Sequence, residues 1–363
     1  MLINNVNLIN NEKCFGCSAC EYFCPTNAIK MICNEQGFWY PVVEEKKCIE
    51  CYKCEEVCPI EVELNEQGTI YRALHKDEDV LEKSQSGGVF TALSDYILSL
   101  QGIIYGAVCD KKFEIIHTDA ITKDERDKMC TSKYVQSKIT STLIGDIKKN
   151  IDRGRNILFT GTPCQCAMIK KNFGDYKRLF ICDFICHGVP SYEVWRRYVE
   201  HIEQKNNIKV KKVTFRLDPN KGKGNHTTLF SDESGNEIFD NKYGILFYSH
   251  LAHRKSCFQC PFARLERVSD ITIGGYLEKL DIKQIHQNSM IIVNTEKGRD
   301  LLEKIRKEMM IIEQQESNQY YKNQPCLYHA VLRPKLYDVF WEDFEKQNFE
   351  DILIKYATKE IEN

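Results

Sequence analysis

The chain has 363 residues, with 50 Lys and Arg against 52 Asp and Glu for a formal net charge of −2. This near-cancellation excludes a nucleic-acid binder that works by blanket phosphate neutralisation. A content of 42% hydrophobic and 28% charged residues excludes a disordered chain and leaves apolar matter for two or three domains. The outlying count is 18 cysteines. In a chain of this length they read as metal ligands or redox thiols rather than as the disulfide framework of a small secreted domain. No run of about 18 apolar residues occurs, so no membrane span is expected. Residues 1–10, MLINNVNLIN, lack the basic flank and continuous apolar stretch of a secretory signal, and the expected location is the cytoplasm.

The N-terminal segment is an internal repeat. Cys14, Cys17, Cys20 and Cys24 precede Pro25, and Cys48, Cys51, Cys54 and Cys58 precede Pro59, each cysteine lying 34 residues after its counterpart. The duplicated C-x2-C-x2-C-x3-C-P unit is the run of bacterial two-cluster ferredoxins, in which three thiolates hold one [4Fe-4S] cube and the fourth holds the other. The expected sets are therefore Cys14, Cys17, Cys20 and Cys58 for one cluster, and Cys48, Cys51, Cys54 and Cys24 for the second. Soft sulfur ligands suit such clusters, and the prolines fix the backbone where the last ligand leaves the loop. A pair of zinc sites would also use C-x2-C pairs, but gives no reason for the third close cysteine, the three-residue gap or the proline. Residues 37–43, GFWYPVV, read as a strand between the runs. Cys33 falls outside both.

Residues 63–83 carry Glu63, Glu66, Lys76, Asp77, Glu78, Asp79, Glu82 and Lys83 with little apolar periodicity and read as a solvated linker. Beyond it, helical and strand patterns alternate. Residues 89–100 have helical spacing, 103–108, 157–160 and 179–184 read as buried strands, 193–203 as a helix, and 210–217, 228–231 and 271–273 as further strands. The fold class expected is α+β: a small dicluster ferredoxin domain over 1–62, the linker 63–83, a larger mixed α/β domain over 84–310 and a mostly helical extension over 311–363.

Within the larger domain Cys257 and Cys260 form a C-x2-C pair that alone fits zinc, iron-sulfur or redox chemistry. Cys164 lies in GTPCQ (161–165) directly after the strand ILFT, and Cys186 in CHGVP (186–190) directly after LFICDFI. Loops at the carboxyl ends of adjacent strands are where ligands bind in open α/β sheets. Ser86, Gly87 and Gly88 open a helix; alone such a pair of glycines reads more readily as a turn or cap, although free amide groups and absent side chains also suit a pyrophosphate.

Five ordered blocks carry a resemblance: SQSGGVFTAL (84–93), SKYVQS (132–137), GTPCQ (161–165), CHGVPS (186–191) and CFQCPFARLERVSDITIG (257–274). Together they resemble the coenzyme F420 hydrogenase/dehydrogenase beta-subunit family, over about 84–300. The resemblance implies a flavin-binding larger domain and an FAD-containing iron-sulfur oxidoreductase. It implies a third [4Fe-4S] cluster on Cys164, Cys186, Cys257 and Cys260, with Cys166 and Cys182 near enough in sequence to substitute, or with Cys164 and Cys186 merely buried small side chains. It places Ser86, Gly87, Gly88, Ser132, Tyr134, Gln136, Gly161, Thr162, Pro163, Gln165 and Gly188 around the FAD. Lys133 is expected to put positive charge near a reduced flavin, or else to be a solvated lysine; His187 is expected to donate a hydrogen bond or relay a proton, or to orient its loop. Cys109, Cys130 and Cys326 carry no pattern. Where the family commonly continues the DITIG strand with Asp and a Trp-containing segment, this chain has Gly274, Gly275, Tyr276 and Leu277, which leaves the reaction partner open.

The function expected from the resemblance is electron passage between a ferredoxin or another redox protein, the clusters and FAD, with hydride exchange to coenzyme F420 or another small-molecule substrate. The alternative is a non-catalytic electron-transfer subunit of a larger hydrogenase or dehydrogenase complex.

Overall fold

The computed structural model describes residues 12–215, 226–275, 288–314 and 324–357. The residues 1–10 read for a signal, the end of the 210–217 strand reading, and Tyr276 and Leu277 of the departing segment lie outside them.

The N-terminal head is built from two thiol loops and a hairpin. Each loop passes into a short helix, Ala19–Phe23 or Lys53–Glu56, through a residue in the left-handed region, Ser18 (φ 64°) or Tyr52 (φ 57°). Between them β1 (Ile29–Cys33) pairs antiparallel with β2 (Trp39–Val43), with Ile29 opposite Val43 and Cys33 opposite Trp39. The turn is held by Asn34, whose side-chain oxygen accepts the Phe38 amide at 2.9 Å, and by Gly37 at φ +79°.

The larger unit is organised by one eight-stranded sheet. Its centre is parallel, running β11 (Ile271–Gly275), β7 (Leu179–Phe184), β6 (Ile157–Gly161), β4 (Ile103–Cys109). Antiparallel strands flank it: β5 (Ile115–Ala120) beyond β4, and β12 (Ser289–Val293), β3 (Thr69–His75) and β13 (Met309–Gln314) beyond β11. The central strands read as apolar runs because both faces are covered, as parallel sheets require. One face is covered by the helices Ser141–Asp152 and Pro163–Phe173 together with Phe15, Ala19 and Val57 of the head. The other is covered by the helices Val89–Ser99 and Glu296–Ile305. A three-stranded sheet of β8 (Lys212–Thr214), β9 (Thr228–Ser231) and β10 (Glu237–Asp240) belongs to a separate aromatic core. Trp195, Tyr198, Phe230 and Tyr243 pack there with Phe340 and Phe344 of the helix Tyr337–Lys346.

Two expected boundaries move. Residues 63–83 are not a solvated linker: they contain β3, an inner strand paired on both sides. The charges at 76–83 dominated the reading, while Ile70, Tyr71, Ala73 and His75 are buried. At the other end, the first residues of the expected helical extension belong to β13, with the helices Tyr337–Lys346 and Phe349–Tyr356 following. The strand reading 210–217 shortens to Lys212–Thr214 among the described residues.

Candidate metal centre

The two thiol loops of the head repeat in backbone as well as in sequence. The Gly16 amide donates to Cys14 Sγ at 3.4 Å, and the Glu50 amide donates to Cys48 Sγ at 3.4 Å. Gly16 and Glu50 both have positive φ, as do Ser18 and Tyr52. Such loops turn their thiols inward around one corner, which the spacing anticipates. The structure also brings Cys58, from the second run, to Cys14, Cys17 and Cys20. Burial pushes the Cys17 thiol up, and Cys58, Cys14 and Cys164 push it further. Burial, with Cys14 and Cys54 as neighbours, raises Cys58 to about 11. Cys24, from the first run, packs with Cys54 beside Cys20 and Ile29. Burial raises its thiol, but hydrogen bonds from Thr26 and the Ala28 and Ile29 amides outweigh that and hold it below the ordinary value.

The quartets differ in environment. Cys14 and Cys20 are 7% and 8% exposed and Cys17 and Cys58 half-buried, while Cys51 is exposed and Cys48, Cys54 and Cys24 are half-buried. The inner quartet faces the larger unit. Phe15 packs on Phe262 with ring centroids 5.5 Å apart, and its carbonyl accepts from Gln136 at 2.9 Å. Ser18 Oγ donates to the Ile139 carbonyl at 2.7 Å.

Directly behind Phe15 a cavity is lined by Cys164, Cys186, Cys257 and Cys260, with Pro163, Gly188, Phe262, Arg254 and Arg267. Three local devices deliver the four cysteines. Thr162 caps the helix Pro163–Phe173 after β6, setting Cys164 in its first turn; Cys186 follows β7; Cys257 and Cys260 lie on and just after the short helical turn Lys255–Gln259. Burial pushes all four thiols up, Cys164 to about 12, and they raise one another: Cys260 acts on Cys164, and Cys257, Cys164 and Cys260 act on Cys186. Four mutually repelling buried thiols around one cavity fit a cationic iron-sulfur core, because ligation deprotonates the thiol and supplies the positive charge that burial withholds. Cys166 and Cys182 are fully buried in the sheet-helix layer, where Cys166 Sγ donates to the Gly161 and Cys182 carbonyls at 3.6 Å. Cys326, which has no sequence pattern, lines the same cavity, its Sγ 3.4 Å from His187 Nδ1. Phe15, Phe262 and Arg254 were likewise illegible in the sequence, since only the docking of head on sheet gives them a role.

The residues expected around a flavin fall into three groups. The first is at 86–88: Gly88 (φ +74°) approaches His75 so closely that a Cβ would lie 2.9 Å from the His75 Cβ. The Gly87 amide donates to Ser289 Oγ at 2.8 Å, and Ser86 Oγ lies 2.8 Å from the same atom. The second is the 132–136 loop. Lys133 turns inward, donating to the Cys130 and Met129 carbonyls at 2.7 and 2.9 Å, and desolvation pulls it down to about 8. Tyr134 packs tilted on Phe247 and edge-on to Phe215 and Tyr248, Gln136 reaches the head, and Ser132 is half-buried. The third is the wall of the thiol cavity. Gln165 accepts the Thr162 amide at 3.0 Å and donates to Ser137, a Cβ on Gly161 would lie 3.0 Å from Gln165 Oε1, and Gly188 (φ +92°) leaves no room for a Cβ against His253.

Comparison with known proteins identifies both the head and the larger unit. Residues 13–62 match the 4Fe-4S dicluster domain. Residues 70–143 and 154–319 match the N-terminal and C-terminal parts of the coenzyme F420 hydrogenase/dehydrogenase beta subunit. No curated protein matches the chain. Among solved structures, a chain of the xenon-derivatised F420-reducing [NiFe] hydrogenase complex from Methanosarcina barkeri is similar, with 21% identity and a TM-score of 0.50 over 73% of this chain and 88% of that one. That likeness is one of fold. Among the described residues no helix is long and apolar enough to cross a membrane. The chain belongs to the coenzyme F420 hydrogenase/dehydrogenase beta-subunit family and carries a 4Fe-4S dicluster domain ahead of it.

Proposed function

We propose that the protein is an iron-sulfur flavoprotein oxidoreductase whose three cysteine quartets form an electron path from its surface to FAD. The observation that carries the reading is the gradation of burial. An outer quartet with Cys51 exposed and its other three cysteines half-buried is followed by an inner one with Cys14 and Cys20 buried and Cys17 and Cys58 half-buried, and that one adjoins a cavity lined by four more thiols. Cys48, Cys51, Cys54 and Cys24 would hold the outer cube, Cys14, Cys17, Cys20 and Cys58 the inner one, and Cys164, Cys186, Cys257 and Cys260 the third. A flavin supplies what clusters lack, the exchange of single electrons for a two-electron hydride.

The chain's own residues have definable tasks. The exposed faces of Ile49 and Tyr52 (63% and 55% exposed) beside Cys51 offer a ferredoxin or other redox protein a contact surface next to the outer quartet. The loops at 86–88 and 132–136 and the helix start at Thr162 supply the FAD cradle at the sheet edge where such ligands bind. Lys133 would favour an anionic reduced ring, and His187 would orient or pass a proton beside Cys186. The organic partner is coenzyme F420 or another small hydride carrier.

Anaerobic purification followed by iron, acid-labile sulfide and flavin analysis tests the assignment. About 12 iron atoms per chain are expected, three cubes of four, with one FAD; about 8 would remove the third cluster, and absence of flavin would remove the hydride step. Turnover of reduced F420 with an artificial acceptor by the isolated chain supports an enzyme in its own right. Copurification with a larger subunit and no such turnover supports the electron-transfer subunit instead.

A further inference from the structure

Two guanidinium groups line the thiol cavity, and they are compensated differently. Arg267 is 2% exposed and lies 3.0 Å from the carboxylate of Asp183, itself fully buried. Arg254 is 1% exposed, and among the described residues no carboxylate stands within ion-pairing distance of it. Its acceptors are neutral: the Cys14 carbonyl at 2.6 Å from Nε, the Trp39 carbonyl at 2.8 Å from Nη2 and Gln136 Oε1 at 3.2 Å from Nη1. The group lies over the Tyr40 ring at 4.2 Å. A buried charge satisfied in hydrogen bonds but not in charge is costly, by several kcal/mol in the usual case. Such a residue implies a negative partner supplied by something other than a side-chain carboxylate.

The position of Arg254 says where that partner is. Its amide donates to the Val189 carbonyl and its carbonyl accepts the Cys257 amide, at 3.0 and 2.9 Å, so its backbone ties the Cys186 loop to the Cys257 turn. Its side chain then crosses to the head and takes the carbonyl of Cys14, a member of the inner quartet. With Cys164 and Cys257 it lines the same cavity. One cation thus touches the loops of two quartets and reaches none of the outer one. Gly16 is part of the same arrangement, because a Cβ there would lie 3.1 Å from the Arg254 Nη1 and 2.8 Å from the Trp39 carbonyl.

We infer that Arg254 is a positioning residue whose buried guanidinium is the shared counter-charge of the inner and third quartets, raising the reduction potentials of the clusters they hold relative to the outer one. The inference rests on the iron-sulfur reading above. Adding one electron to a thiolate-ligated cube makes it more negative, so a fixed positive charge nearby favours the reduced form. Electrons entering at the outer quartet are thereby drawn inward.

The test is a reductive titration of the anaerobically purified full chain, followed by electron paramagnetic resonance, with the outer signal identified as the one lost in Cys51→Ser. Two variants neutralise the charge differently: Arg254→Gln removes it, and Gln136→Glu sets a carboxylate against it while giving up the hydrogen bond to the Phe15 carbonyl, a loss that Gln136→Met reproduces without the charge and that should leave the potentials in place. In both, the inner and third signals should need a potential lower by about 59 mV, a tenfold change in the reduced-to-oxidised ratio, while the outer signal stays. Arg254→Lys keeps the charge while losing the fork of hydrogen bonds, and should retain most of the potential. Full iron content with unmoved potentials in both neutralising variants overturns the proposal, as does an equal shift of all three signals. Should Arg254→Gln fail to fold, Gln136→Glu decides alone. A wild-type chain with about 8 iron atoms, two cubes of four, would refute the third cluster separately, and the inner signal would still report on Arg254.

Discussion

The inner and outer quartets of the head are the same motif in two surroundings. Position for position, Phe15 corresponds to Ile49 and Ser18 to Tyr52. The first pair is 8% against 63% exposed, the second 3% against 55%. Yet the amide-to-sulfur bonds are equal in length and the left-handed residues recur at the same offsets. The spacing of cysteines therefore determines the loop, and the residues between them determine where the loop sits. Phe15 docks on Phe262, and Ser18 on the Ile139 carbonyl just ahead of the helix Ser141–Asp152; Ile49 and Tyr52 are left to solvent or to a partner. The repeat thus sets one cysteine quartet against the larger unit and leaves the other facing outward.

The largest effect should come from crossing the quartets. If Cys58 serves the inner cube, Cys58→Ser should remove the buried cluster and interrupt electron passage to the third quartet, although Cys58 belongs to the second run. Cys24→Ser should instead remove the outer cluster and spare the inner one. Iron analysis should fall from about 12 to about 8 in each, the loss of one four-iron cube, and paramagnetic resonance should show different signals missing. If each variant loses the cluster of its own run, the two quartets are not crossed and the comparison fails.

A smaller effect tests how the inner quartet is held. Gly37, in the hairpin turn, has φ +79°, and a Cβ there would fall 2.5 Å from the Glu193 amide nitrogen and 2.7 Å from Ser191 Oγ. Ser191 Oγ itself donates to the Gln36 carbonyl at 2.5 Å. Gly37→Ala should cost about 2 kcal/mol from the strained backbone together with the clash, and should loosen the head from the helix Tyr192–Asn206. Thermal unfolding and limited proteolysis would register this as earlier release of residues 12–62. An unchanged melting temperature would mean that the hairpin is not a clamp.

Much of this architecture was legible in the sequence, and the reasons for the rest are physical. The cysteine runs stood out because ligand chemistry fixes both residue type and spacing. The central strands β4, β6 and β7 stood out because burial on both faces makes them continuous apolar runs. By contrast β3 was hidden by the charged residues that follow it, and β12 and β13 lie outside the alternation that announced the other strands. Arg254 and Cys326 were invisible for a different reason. Neither has a local pattern, and each acquires its place only when segments more than 60 residues apart in the chain close on one cavity.

The smallest effect concerns the wall on which the inner quartet leans, and it has a pH signature. His117 is 6% exposed; its Nε2 lies 2.9 Å from the Thr160 carbonyl and its Nδ1 2.9 Å from Ser137 Oγ, which also accepts from Gln165. That network fixes the 132–138 segment, whose Gln136 holds Phe15 beside the inner thiols. Burial lowers the imidazole to about 4 from an ordinary 6.5, the Thr160 contact opposing it. Between those values the unfolded chain binds a proton that the folded chain refuses, so the contribution is complete above pH 6.5 and is lost as pH falls toward 4. From pH 7 to 5.5 the loss should be about 1 kcal/mol. Melting curves of the anaerobic protein at the two pH values, compared with His117→Gln, isolate the term: the variant should be less stable at pH 7 but flatter with pH. An equal slope in both proteins would show that His117 titrates freely and that the inner quartet's wall is not held by a neutral imidazole.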